Sequence, residues 1–273
     1  MKTPESLKAH LETCRRLGVR YVSLARSGEA VLPSGEIPSS EFNEKSSVVA
    51  ATVEQAMPST PSAVVPNSKN KTGAPPWLTA SGETIQAMEL MAFDRDICEC
   101  QKCPLGATRK KFVFGSGNPR AEVMFIGEAP GADEDAQGLP FVGRAGQLLT
   151  KIVESTQTWK RSDVFICNVL KCRPPGNRTP LPEEVEQCRP YLEEQIRVIQ
   201  PKLLMALGAS AAQALLRTKD SVGKLRNKWH DFQGIPLRVT YHPAALLRFD
   251  GYKKDVWEDM KELTAKYQQM LGK

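Results

Sequence analysis

Four cysteines are spaced so that their thiolates can share one metal centre. Cys100 and Cys103 form a C-x2-C pair, and Cys172 and Cys188 follow downstream with fifteen residues between them. Four thiolates suit either a tetrahedral zinc ion or an iron–sulfur cluster, and the spacing does not separate the two. Cys98 is an alternative to Cys100, although a two-residue gap is the commoner ligand geometry. Of the seven cysteines, Cys14 falls in a helical pattern and Cys167 in an apolar run, where a small buried hydrophobe is the ordinary role. A second set of polar groups sits just past four apolar runs. It comprises Gly127-Glu128-Ala129-Pro130-Gly131, Asn168 with Lys171-Cys172-Arg173-Pro174-Pro175, Gly208-Ala209-Ser210, and His242-Pro243-Ala244-Ala245. A carboxylate, an amide and an imidazole on glycine- and proline-rich turns are the parts of a binding or hydrolytic site.

The runs that carry these groups are Glu122–Ile126, Val164–Val169, Lys202–Leu207 and Leu237–Tyr241. Short, nearly continuous apolar stretches of this kind predict strands buried on both faces. Helical periods over Gly146–Glu154, Pro182–Gln200, Ser210–Arg217 and Lys253–Leu271 alternate with them. The alternation predicts an α/β fold, three layers of α/β/α around a central, mostly parallel four-stranded sheet. Ligands of such sheets bind in the crevice beyond the strands' C-terminal ends, so the polar turns are expected to converge there.

This domain is expected over residues 83–273. Residues 1–26 read as an N-terminal amphipathic helix segment, with Leu7, Leu11, Cys14 and Leu17 on one narrow stripe that needs a partner surface. Between them, residues 27–82 read as a disordered linker. Positions 27–76 hold 7 Pro, 9 Ser and a single aromatic, Phe42, too little apolar area to offset the entropy of ordering. At 273 residues, 41% hydrophobic and 25% charged, the chain can build a sizeable core. It has no apolar run long enough for a bilayer and no apolar signal core at its start, so a cytoplasmic protein without a membrane partner is expected. The net charge of +6 permits a polyanionic partner without requiring one.

Several chemistries are excluded. Gly115-Ser116-Gly117 lacks the third glycine of a dinucleotide fingerprint and precedes a strand instead of following one. No lysine follows a glycine-rich loop as in a P-loop. There is no His-x-Glu beside a Pro-Cys-x-x-Cys as in a zinc deaminase, and no serine in a Gly-x-Ser-x-Gly elbow.

Residues 100–248 resemble a family 4 (type-4) uracil-DNA glycosylase, the iron–sulfur branch of the uracil-DNA glycosylase superfamily. The resemblance is carried in order by CQKCPL, FGSGNP, GEAPGADED, GLPFVGRAGQLL, ICNVLKCRPPGNRTP, EEVEQCRPYL, ALGASAAQALL and YHPAALLR. It implies a [4Fe-4S] cluster on Cys100, Cys103, Cys172 and Cys188, and excision of uracil from DNA. The target nucleotide has to leave the duplex to be reached. By the same resemblance Phe141 stacks on the flipped base. Asn168 pairs its amide with uracil O4 and N3–H, a pattern that cytosine does not present. The backbone N–H groups of Gly127–Ala129 and the His242 ring stabilise the uracil anion as it leaves. Glu128 is expected to orient water, with Glu134 and Asp135 as competitors on the same loop.

Two departures matter. The best-known uracil-DNA glycosylases carry Asp where this chain has Ala129, so their general base is not transferable. A related branch that traps DNA covalently has a histidine in the loop read here as CRPPGNRTP, where Asn177 stands; turnover by hydrolysis is therefore expected. Lys110, Lys111, Arg144, Arg173, Arg178 and the stretch Arg217–Lys228 are expected to face phosphate, and Leu246-Leu247-Arg248 to wedge into the gap left by the base. The expected molecule is a monomer acting on uracil-containing DNA, with the N-terminal helix as a surface for a protein partner. The competing expectation is a non-catalytic module that recognises uracil or damaged DNA and carries a structural metal.

Overall fold

The computed structural model describes residues 75–78 and 84–272. The helix expected over residues 1–26, and all of the expected linker except positions 75–78, lie outside the described residues. Those four positions pack on the domain. Trp77 is buried, its indole N–H donates to Asp94 at 2.8 Å, its carbonyl accepts from Gly117 N–H at 2.9 Å, and its ring lies 5.1 Å from that of Phe114.

The sheet has strands β1 (Ser116–Gly117), β2 (Val123–Gly127), β3 (Phe165–Asn168), β4 (Leu203–Leu207), β5 (His230–Phe232) and β6 (Ile235–Thr240), in the order β1-β3-β2-β4-β6-β5. The inner four are parallel and correspond to the four apolar runs. Two antiparallel edge strands are added to the four-stranded sheet expected from the sequence. Neither edge strand shows an apolar run: β1 is two residues long, and β5 reads His-Asp-Phe with one side chain buried.

Helices α1 (Ile85–Ile97), α2 (Leu105–Thr108), α3 (Ala132–Gln137), α4 (Arg144–Ser155), α5 (Pro182–Ile199), α6 (Ala209–Leu216), α7 (Val222–Leu225), α8 (Pro243–Leu246) and α9 (Tyr252–Met270) surround the sheet. Side chains of a strand alternate between faces. Val123, Phe125, Val164, Ile166, Leu203 and Met205 pack with Leu149 and Val153 of α4 and Val256, Met260 and Leu263 of α9. The alternate positions Met124, Ile126, Phe165, Cys167, Leu204 and Ala206 are equally buried on the opposite face. Burial on both faces is why the strands read as continuous apolar runs. No helix of the described residues is long and apolar enough to cross a membrane.

One buried ionic cluster ties α9 to the sheet. The fully buried Asp259 accepts from Arg226 Nε at 2.7 Å, Thr240 Oγ1 at 2.7 Å and Arg238 Nη2 at 3.4 Å. Arg226 therefore faces inward and is lost from the set of phosphate contacts expected over Arg217–Lys228. Replacing Asp259 with alanine leaves the buried Arg238 without a carboxylate and Arg226 with Asp255 alone, 3.1 Å from its Nη1. The expected loss is about 3–5 kcal/mol, read as a lower guanidinium midpoint in equilibrium unfolding.

Candidate active site and thiol centre

The chain runs from β2 to β3 on one side, then crosses to β4 on the other, so the loops after β2 and β4 part at a topological switch point. A cavity of about 430 Å³ opens beside it, within the size range of small-molecule sites. Its lining includes Glu128, Ala129, Glu134, Phe141, Asn168 and His242, drawn from the loops after β2, β3 and β6. Gly127 packs behind that lining. A Cβ there would stand 2.4 Å from Asn168 Oδ1 and 2.6 Å from Phe141 Cζ, so only glycine leaves both side chains in place. A neighbouring cavity of about 570 Å³ shares Glu128 and lies between the loops after β3 and β4. Among the described residues no buried, unpaired polar atom lines it, and the candidate chemistry lies in the first cavity.

Asn168 is the last residue of β3, is 1% exposed, and has neither its Oδ1 nor its Nδ2 hydrogen-bonded. A buried amide with no partner in the chain at either atom needs one from outside it. Such a group lining a cavity calls for a ligand that offers one acceptor and one donor side by side.

Phe141 takes a left-handed backbone, φ 54°, a strained conformation for a bulky residue. Glu134 holds it there: Oε1 accepts the N–H groups of Val142 and Gly143, both at 2.9 Å. Oε2 reaches back to the Gly131 N–H at 3.1 Å, the capping bond of α3. The kink turns the Phe141 ring into the cavity, 5.6 Å from the His242 ring and inclined to it by 33°.

His242 caps α8, its Nδ1 accepting from Ala244 N–H at 3.1 Å. In the neutral ring the proton then sits on Nε2, which is left as a donor. Burial of the ring, with a smaller contribution from Arg248, lowers its pKa to about 4. Gly208, φ 91°, lies close behind; a Cβ there would come within 3.0 Å of the His242 Cβ.

The acids of the ADED run have other duties. Glu134 is held by three N–H groups, and the buried Asp135 accepts from Lys110 N–H at 2.8 Å. The Glu128 carboxylate lines the cavity and is not pinned by any such bond among the described residues.

Cys100, Cys103, Cys172 and Cys188 line a separate small cavity with Tyr191. Cys98 lies in the wall of a different one, and its thiol contacts the Arg95 carbonyl. Donors point at three of the four sulfurs. Lys102 N–H (3.4 Å) and Tyr191 O–H (3.1 Å) reach Cys100, Arg109 Nη1 (3.5 Å) reaches Cys172, and Lys171 N–H (3.3 Å) reaches Cys188. Burial pushes the free thiols up, Cys172 to about 11 and Cys188 to about 12, so ionisation there needs a compensating cation. No three His, Cys, Asp or Glu side chains of the described residues have the geometry of a single-ion site.

Of the basic residues expected at DNA, Lys110, Lys111, Arg144 and Arg178 are exposed and Arg173 is half-buried. Arg178 also pairs with Glu184 through both terminal nitrogens, at 2.6 and 2.9 Å. Leu246 belongs to the core, whereas Leu247 and Phe249 are exposed at the tip beyond α8.

The sequence model of the uracil DNA glycosylase superfamily matches residues 114–261. The type-4 uracil-DNA glycosylase of Pyrobaculum aerophilum is 45% identical over 183 residues, covering 63% of this chain and 92% of that protein. That of Archaeoglobus fulgidus is 43% identical over 62% of this chain and 88% of its own length. For the Thermotoga maritima protein of the same type the figures are 46%, 60% and 87%.

Proposed function

The chain belongs to the uracil DNA glycosylase superfamily, and from that premise we propose that it is a monofunctional uracil-DNA glycosylase of base excision repair. It takes uracil out of the DNA stack and hydrolyses the N-glycosidic bond, releasing free uracil and leaving an abasic site. The observation that carries this reading is the open Asn168 amide, buried at the cavity wall with both atoms unpaired. Its Nδ2 donates to O4 and its Oδ1 accepts from N3–H. Phe141 supplies the apolar face for the ring.

As the bond between N1 and the sugar carbon breaks, its electron pair moves onto uracil. The neutral His242 donates from Nε2 to a uracil carbonyl oxygen, and the backbone N–H groups of the Gly127–Ala129 turn add to that field. Water attacks the sugar carbon as its oxygen bonds there, giving its proton to the Glu128 carboxylate. Glu128 is favoured for this part because Glu134 and Asp135 are held by backbone donors.

Cys100, Cys103, Cys172 and Cys188 are proposed to hold a [4Fe-4S] cluster. The four thiols line one cavity, and four donors are aimed at three of the sulfurs, as anionic cluster ligands need. When bound, the cluster cross-links the loop after β3, helix α5 and the segment before α2. Hydrolysis changes no oxidation state, so the cluster's part in this reaction is structural. The domain over 83–273, with residues 75–78 packed on it, is proposed to act as a cytoplasmic monomer. Residues 1–26 are proposed as a partner-binding helix on the linker 27–82. Exposed Lys110, Lys111 and Arg144 give DNA binding a steep dependence on salt.

The test is free uracil released from a labelled uracil-containing oligonucleotide by anaerobically purified protein. Stoichiometric release over many turnovers is expected. Tight binding of the oligonucleotide with no free uracil would overturn the enzymatic reading in favour of a recognition module.

A further inference from the structure

Between the uracil cavity and the thiol centre lies a buried lysine that neither site has claimed. Lys171 is 0% exposed. Its ammonium donates to the Asn168 carbonyl oxygen at 2.7 Å and to Gln195 Oε1 at 2.7 Å. Its own backbone N–H donates to Cys188 Sγ at 3.3 Å, and its carbonyl accepts from Val113 N–H at 2.9 Å. Gln195 is itself fixed, with its Nε2 donating to the Phe114 carbonyl at 2.8 Å. It stands on α5, the helix that also bears Cys188 and Tyr191.

Both side-chain acceptors of Lys171 are neutral carbonyl oxygens, and among the described residues no carboxylate bonds it. A buried ammonium without a counter-charge is strongly destabilising. The thiol centre begins at the next residue, Cys172, and Cys188 Sγ accepts from the backbone N–H of Lys171 itself. A cluster ligated by four thiolates carries net negative charge, which supplies the missing partner. The ammonium in turn clamps the peptide carbonyl of the residue whose amide faces the uracil cavity.

We propose that Lys171 is a positioning residue that couples the four-cysteine centre to uracil recognition, serving as the centre's internal counter-charge while it holds the Asn168 backbone in place. The inference rests on the function proposed above and deepens it. Loss of the thiol centre then releases the ammonium from its counter-charge and loosens the aim of Asn168. A cluster with no electron to transfer thereby influences substrate binding through charge and a hydrogen bond.

The experiment uses the full chain, purified anaerobically, with Lys171→Met beside the wild type. Two quantities are read, each independent of turnover: the midpoint potential of the cluster followed by its absorbance, and the affinity for free uracil by calorimetry. Removing one buried positive charge is expected to lower the potential. Freeing the Asn168 carbonyl is expected to weaken uracil binding about tenfold. A purely structural lysine would lower the melting temperature and leave both quantities where they were, and that result overturns the proposal. Should Lys171→Met fail to fold, Gln195→Leu decides, since it keeps the ammonium and removes one of its two anchors. Uracil affinity about threefold weaker at full iron content supports the coupling, and unchanged affinity overturns it. Wild-type protein that neither holds iron nor binds uracil would overturn the underlying reading itself, a result distinct from a wild type that does both beside an indifferent variant.

Discussion

Replacing Asn168 with alanine is expected to lower kcat/KM for uracil excision on the order of a thousandfold while leaving the folded domain as stable as before. The two halves of this expectation come from one observation. Both amide atoms are buried with no partner in the chain, so truncation breaks no hydrogen bond that holds the fold together. With uracil in the cavity the same atoms make two bonds to a water-excluded ligand. Sites built around such bonds lose about 10⁴–10⁵ in discrimination when one partner is missing, and removing a single preorganised donor costs about 10²–10³ in rate. Single-turnover excision and thermal unfolding of the same preparation check both halves. A variant that loses activity only in step with its stability would mean that Asn168 serves the fold alone.

The parallel core of the sheet was legible because its strands are covered on both faces, which leaves no polar alternation to confuse the reading. The edges were not. β1 and β5 are too short and too polar to show a period, and their pairing follows from neighbours distant in sequence. Trp77 lies in a stretch whose composition resembles linker; it is ordered by a contact to Asp94 that no local pattern encodes. At the site, residue types at strand ends identified Glu128, Asn168 and His242, and topology brings all three to one cavity. The duty of Glu134 was hidden in a run that looks like a solvated face. Its signal was position: it stands three residues after the Gly131 cap of α3, where a carboxylate reaches back to the cap N–H. Arg226 and Lys171 show the opposite limit. Arg226 stands in a stretch expected to face phosphate and Lys171 in a polar turn beside the site, and only the packing of α9 and α5 against them shows that both point inward.

Excision is expected to hold a level rate from pH 8 down to about pH 5, and His242→Ala to lose about a hundredfold or more at every pH in that window. An ordinary histidine would protonate near pH 6.5 and give the profile a limb there. His242 does not, because burial holds its pKa to about 4 and the Ala244 N–H already occupies Nδ1. The ring therefore stays neutral with its proton on Nε2, the form that donates to a leaving uracil without a separate protonation step. The same shift has a consequence for stability. The pKa is lower in the folded than in the unfolded state, so the unfolded chain takes up the proton first as pH falls. Stability contributed by this ring is whole above about pH 6.5, declines from there to about pH 4, and reaches a loss of about 3 kcal/mol below that. His242→Ala removes that slope, so the difference in unfolding free energy between wild type and variant narrows on acidification. Equilibrium unfolding at several pH values, run beside the rate profile, tests the two together. A limb near pH 6.5 in the wild-type rate with no change in the stability difference would show that His242 titrates as an exposed imidazole, and the neutral-donor mechanism would fall with it.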